Sequence, residues 1–113
     1  MALSEENESM FVKLLGNSPM VRVLDFLLTD RDFDYSKKEI AENSQVSYNT
    51  LKSILPYLIG NGIIVKTRRL GKQDMYKLNA ESVPVKGMIN LFDYLIKALI
   101  GKARKAKTID ETA

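Results

Sequence analysis

"SKKEIAENSQVSYNTLKSILPYLIGNGIIVKTRRLGKQDMYKL", residues 36–78, holds the decisive pattern of this chain. Ser36-Lys37-Lys38-Glu39 is a capping box: a hydroxyl at the cap and a carboxylate three residues on satisfy each other's backbone amides and start a helix whose inward residues are Ile40 and Ala41. Asn43-Ser44-Gln45 cannot extend an apolar face, so that helix is short, with Val46 plugging the turn into the core. Ser47 then caps a second helix running to about Ile59. In it Leu51, Ile54, Leu55, Leu58 and Ile59 follow the i, i+3, i+4, i+7, i+8 rule and read as one buried stripe. Asn49 and Ser53 point away from that stripe, flanked by Lys52 and Pro56 on one side and Thr50 and Tyr57 on the other. Pro56 lacks an amide hydrogen and crowds the carbonyl of Lys52, which predicts a bend or loosened turn. Gly60-Asn61-Gly62 ends the helix, and residues 63–78 form a hairpin around Gly71-Lys72, with Lys66, Arg68, Arg69, Lys72 and Lys77 set against one acid, Asp74.

Upstream, residues 1–8 read as a loose polar tail. Met10, Phe11, Leu14 and Leu15 have helical spacing before a stop at Gly16-Asn17, and Ser18-Pro19 opens a second helix with an apolar stripe of Met20, Val23, Leu24, Leu27 and Leu28. Asp30 to Asp34 is turn-like, and Phe33 and Tyr35 are placed in a short strand joining the later hairpin. Downstream, a final helix spans residues 84–101. Its main seam is Val85, Met88, Ile89, Phe92, Leu95, Ile96 and Leu99, but Leu91, Tyr94, Ala98 and Ile100 add apolar surface outside it. A helix apolar around so much of its circumference needs two partners, and the second is most economically the same helix of another copy, so the seam residues are assigned to a homodimer interface. Residues 102–113 read as a basic, mobile tail. The expected fold class is therefore mainly α with a small antiparallel hairpin, in one domain over residues 9–80 plus the added C-terminal helix.

Composition narrows function. The 113 residues are 45% hydrophobic and 27% charged, a globular balance, and no window approaches a membrane span. The acidic start, Met1-Ala2-Leu3-Ser4-Glu5-Glu6, does not read as a secretion signal, which points to the cytoplasm. With no Cys and no His, disulfides, thiol chemistry, ordinary zinc or copper sites and the commonest general base are all excluded, so neither catalysis nor a cofactor is expected. The net charge of +3 is unevenly spread: residues 1–34 carry three basic and seven acidic side chains, residues 35–78 eight and three, residues 79–113 six and four. Positive charge concentrated on the two helices and the hairpin suits attraction to a phosphate backbone.

Ile40-Ala41, Val46-Ser47, Leu51 and Ile54 sit at the spacing of the helix-turn-helix pattern. With the preceding helix and the basic hairpin, the chain resembles winged helix-turn-helix transcriptional regulators over about residues 10–100. "LLGNSPMVRVLDFLL" (14–28) and "DYSKKEIAE" (34–42) resemble small archaeal-type regulators of the broad ArsR and MarR grouping. Members often carry Gly where Gln45 stands here. The resemblance implies a cytoplasmic, non-enzymatic homodimer that binds palindromic double-stranded DNA, with helix 47–59 in the major groove and the wing, 63–78, on the backbone or in the minor groove. Metal sensing in that grouping rests on Cys and His clusters, so it does not carry over.

On this reading Asn49, Lys52 and Ser53 face base edges, Ser47, Tyr48 and Thr50 lie near phosphates at the helix N-terminus, and Arg68, Arg69, Lys72 and Gln73 serve the wing. Lys37 and Lys38 are phosphate clamps. The same architecture also serves as a protein-interaction or scaffold module in a DNA-segregation or transcription assembly, which is the competing expectation.

Overall fold

A computed structural model describes residues 8–112, with side chains described for 8–98. Among the described residues five helices and three strands follow in the order α1 (Met10–Leu15), α2 (Pro19–Thr29), β1 (Tyr35–Ser36), α3 (Lys37–Ser44), α4 (Tyr48–Gly60), β2 (Ile64–Leu70), β3 (Gln73–Leu78) and α5 (Val83–Thr112). The strands form one antiparallel sheet in the order β1-β3-β2. This is the expected class, mainly helical with a small antiparallel sheet.

Local chemistry starts each helix. Ser9, Ser18, Ser36 and Ser47 all hold extended backbone at an N-cap and accept from an amide three residues on. At Ser36 the box is complete: its hydroxyl accepts from the Glu39 amide at 3.2 Å and its own amide donates to Glu39 Oε1 at 2.9 Å. Gly71, at φ 64°, makes the hairpin turn that brings Leu70 opposite Gln73.

Val23, Phe26, Leu27 and Leu28 of α2, Ile40 and Ala41 of α3, and Leu51, Leu55 and Leu58 of α4 fill the core with Ile64, Tyr76 and Leu78 of the hairpin. Val46 packs against it from the turn. At α1 the buried pair is Phe11 and Val12, whereas Leu14 and Leu15 are exposed. A six-residue helix presents less than two turns to its neighbours, and the contact falls on its start, where the Phe11 ring meets Phe92 edge-on at 5.8 Å. Phe33 is exposed and outside the strand; β1 is only Tyr35–Ser36, with Tyr35 opposite Tyr76. Ile59 is 41% exposed. At about 100° per residue it lies roughly 90° from the centre of the Leu51, Ile54, Leu55, Leu58 stripe, so the eight-residue step overshoots the buried face. The helix runs unbroken through Pro56.

The last helix departs most from expectation. It continues past Gly101 to Thr112, because a glycine costs only about 1 kcal/mol in a helix and the following residues are Lys, Ala and Arg, all good helix formers. Val85 and Phe92 are 0% and 6% exposed inside the protomer's own core, with Met88, Ile89 and Leu95 packed against it. These five seam residues are used internally. Leu91 and Tyr94 stay exposed beyond one edge of the seam, and Ile96, a seam residue, is exposed on the other side of the helix. The Leu99 side chain, the side chains of 102–113 and all but the last residue of the 1–8 tail lie outside the described residues. Among the described residues no helix is long and apolar enough to cross a membrane.

Candidate nucleic-acid interface

The turn between α3 and α4 sets the geometry of everything around it. Gln45 adopts the left-handed conformation, φ 57° and ψ 43°, and its amide donates to the Ala41 and Glu42 carbonyls. A residue with a Cβ holds the place where glycine is the easier choice, and the turn is nonetheless tight. Arg22 of α2 accounts for it. Its Nε donates to the Ser44 carbonyl and its Nη2 to the Gln45 carbonyl, each at 3.1 Å, while Nη1 donates to Asn17 Oδ1 at 3.0 Å. One guanidinium thus satisfies the carbonyls left over at the end of α3 and pins the corner to the scaffold helix. Sequence reading missed this role; the only signal was the single basic residue, one turn into a mostly apolar helix.

From that corner α4 projects an exposed polar face. Asn49, Lys52 and Ser53 are all exposed, and the Lys52 ammonium sits 5.7 Å from the centre of the Tyr48 ring. The hydroxyls are committed within the helix: Ser47 Oγ accepts from the Thr50 amide and donates to Thr50 Oγ1 at 2.8 Å, and Ser53 Oγ donates to the Thr50 carbonyl at 2.7 Å. Among the described residues the Asn49 amide has no hydrogen-bond partner, so both its donor and its acceptor face outward.

Between α3 and the hairpin lies an open cleft of about 690 Å³, into whose lining Glu42 brings one acid from the helix side. Lys37 and Lys38 form one wall, Arg69, Lys72 and Gln73 the other, and Tyr48 closes one end. Six of the expected site residues therefore share one space. Asp74 tempers the hairpin wall, with Oδ1 at 3.4 Å from Lys66 and 3.5 Å from Arg69. Lys66 and Arg69 reach the same acid because a register irregularity between Lys66 and Arg68 inserts Thr67 and turns Arg69 to the Asp74 face.

Arg68 stands apart. It pairs with Met75, on the opposite face of the hairpin from Arg69 and Asp74, and does not line the cleft. There Asp34 takes it up: Nε donates to Oδ2 at 3.0 Å and Nη2 to Oδ1 at 3.2 Å, with the Thr67 hydroxyl donating to the same carboxylate. The Arg68 guanidinium, and after it the Thr67 hydroxyl, hold the Asp34 carboxyl below the usual carboxylate range. Among the described residues no cluster of three His, Cys, Asp or Glu could hold a metal ion.

No family model and no curated protein matches the sequence. Solved structures do. HlyU from Vibrio vulnificus, a transcriptional regulator, aligns at 28% identity over 66% of this chain and 74% of its own, with a TM-score of 0.54. Mb0332 from Mycobacterium bovis, described as a homodimeric winged helix-turn-helix DNA-binding domain and possible ArsR-family regulator, aligns at 22% identity over 83% and 78%, TM-score 0.52. ZitR from Lactococcus lactis, solved in complex with DNA, aligns at 14% identity over 93% and 69%, TM-score 0.55. The chain is a winged helix-turn-helix protein. In the terms of that fold, α4 is the recognition helix and the β2–β3 hairpin the wing, and the cationic cleft is the space between wing and helix-turn-helix. Of these neighbours HlyU is a transcriptional regulator and Mb0332 a possible one.

Proposed function

We propose that the protein is a cytoplasmic, homodimeric transcriptional regulator that binds double-stranded DNA by sequence. The observation that carries this reading is the cleft, where Lys37 and Lys38 at the start of α3 face Arg69 and Lys72 of the wing. Cations on two walls of an open groove suit one phosphodiester strand running between them. The adjoining face of α4 then enters the major groove, with Asn49 reading an adenine edge, Lys52 a guanine, and Ser53 close by. Ser47, Tyr48 and Thr50 meet the backbone at the helix N-terminus, and Gln73 at the wing tip meets the neighbouring backbone or minor groove. The exposed pair Leu91 and Tyr94 on one side of α5 supplies the self-complementary surface of a two-fold dimer, which puts two half-sites about 34 Å apart. The homodimeric state of Mb0332 and the DNA complex of ZitR support both halves of the proposal.

Anisotropy of a labelled random duplex, titrated at two salt concentrations, tests it. Each phosphate contact contributes about 0.9 to the slope of log affinity against log salt, so Lys72→Ala flattens the slope by roughly that amount per protomer on every sequence. Asn49→Ala leaves random-duplex affinity nearly unchanged and relaxes base preference among selected fragments. Affinity indifferent to salt would sink the proposal and favour a protein-interaction module.

A further inference from the structure

The Asp34–Arg68 pair crosses the sheet. Asp34 immediately precedes β1, Arg68 lies in β2, and β3 runs between them. In register, Met75 of β3 has Ser36 on one side and Arg68 on the other. Met75 is only 5% exposed although it faces away from Tyr76 and Leu78, whose side chains enter the core. The ion pair passes over this same face. At one end of the strap, Asp34 is two residues from Ser36, the N-cap of α3, and three and four from Lys37 and Lys38. At the other, Arg68 adjoins Arg69, with Thr67 bonded to the same carboxylate and the Met75 carbonyl. The strap therefore links the two walls of the cleft from behind.

We infer that Asp34 is a positioning residue for DNA binding, which holds the wing at a set spacing from the first turn of α3 through Arg68 and Thr67. The inference rests on the DNA-binding reading and deepens it. Arg68 acts here through the wing's pose, and its guanidinium fork is spent on a carboxylate rather than offered to phosphate. Two unlike predictions follow for removal of the acid. On charge alone, losing a negative group beside a DNA-binding face raises affinity. As a positioning group, its loss lets the wing swing and lowers affinity, while the number of phosphates neutralised stays the same.

The test is duplex titration of the full chain and of Asp34→Asn across a salt series, with amide hydrogen exchange over the wing and Thr67→Val as an uncharged second variant. Expected are a loss of about fivefold in affinity at fixed salt for Asp34→Asn, an unchanged salt slope, and faster exchange over residues 66–75. Thr67→Val shifts in the same direction by less, and adding Arg68→Gln to Asp34→Asn costs nothing further. Tighter binding by Asp34→Asn, or a slope steeper by about one per protomer, overturns the inference, since Arg68 would then be a phosphate ligand that Asp34 restrains. Wild-type protein that binds no duplex overturns the functional reading and this inference with it, whereas wild-type binding with the wrong sign in the variant overturns only the inference.

Discussion

The helix-turn-helix corner and the wing are neighbours in space but are held by different kinds of bond. At the corner, side chains bond to backbone: Arg22 to the Ser44 and Gln45 carbonyls, Ser36 and Glu39 to each other's amides, Ser47 to the Thr50 amide. In the wing the bonds run chiefly between charged side chains, with Asp34 holding Arg68, and Asp74 set between Lys66 and Arg69. Hydrogen bonds to backbone set angles that salt barely touches, whereas ion pairs with half-exposed cations are screened and cheap to break. The corner is thus a fixed presentation of α4, and the wing an adjustable arm beside it.

The sharpest way to break that contrast is Arg22→Ala. It leaves two carbonyls at the end of α3 without their charged donor and is expected to cost about 2–3 kcal/mol in urea unfolding, with Arg22→Lys recovering less than half because an ammonium cannot span both carbonyls. A cost near zero would show that the corner holds itself without α2. Gln45→Gly is expected to act the other way, raising stability by about 0.5–1 kcal/mol, since glycine adopts φ 57° without a Cβ clash; Gln45→Val should lower it. Smallest is the effect of acid, which moves the two regions in opposite directions. Asp34 has a lowered pKa in the folded state, so its contribution is present above the unfolded value of about 3.9 and is lost as pH falls through the folded one. Asp25 of α2 has a pKa raised by burial, against a smaller opposing effect of the Ser9 hydroxyl donating to it at 2.6 Å. Its charged form penalises the fold at neutral pH, and that penalty is relieved as pH falls through its folded pKa toward about 3.9. Amide exchange followed on acidification, corrected for intrinsic rates, should show wing protection falling before that of α2 and the corner. Uniform loss would erase the distinction.

Much of this was legible in the sequence, and the legible part is local. The serine caps, the capping box, the Gly71 turn and the stripe of α4 follow from side chains acting within a few residues of themselves. The approach of Lys37 and Lys38 to Lys72 follows from helix-turn-helix spacing plus a two-residue hairpin, whereas the side Arg69 takes depends on the register irregularity before it. What escaped was each pairing across a long stretch of chain: Arg22 with Gln45, Arg31 with Asp93 at 3.0 Å, Asp34 with Arg68. Nothing in the composition of the acidic first third distinguishes Asp34 from Asp30 or Asp32.

Sequence alone determined where the helices and the hairpin start and most of their apolar faces, because propensity, capping and periodicity act over one or two turns; the extent of β1 and α5 and the outward turn of Leu14, Leu15 and Ile59 were not among them. Tertiary structure alone decided how the apolar faces were divided. It took Val85 and Phe92 of α5 for the protomer's own core and left Leu91, Tyr94 and Ile96 outside. It also decided that Arg68 would serve the sheet while Arg69 serves the cleft. Both outcomes turn on register and packing angle, where a shift of one residue along a strand or one face around a helix exchanges inside for outside.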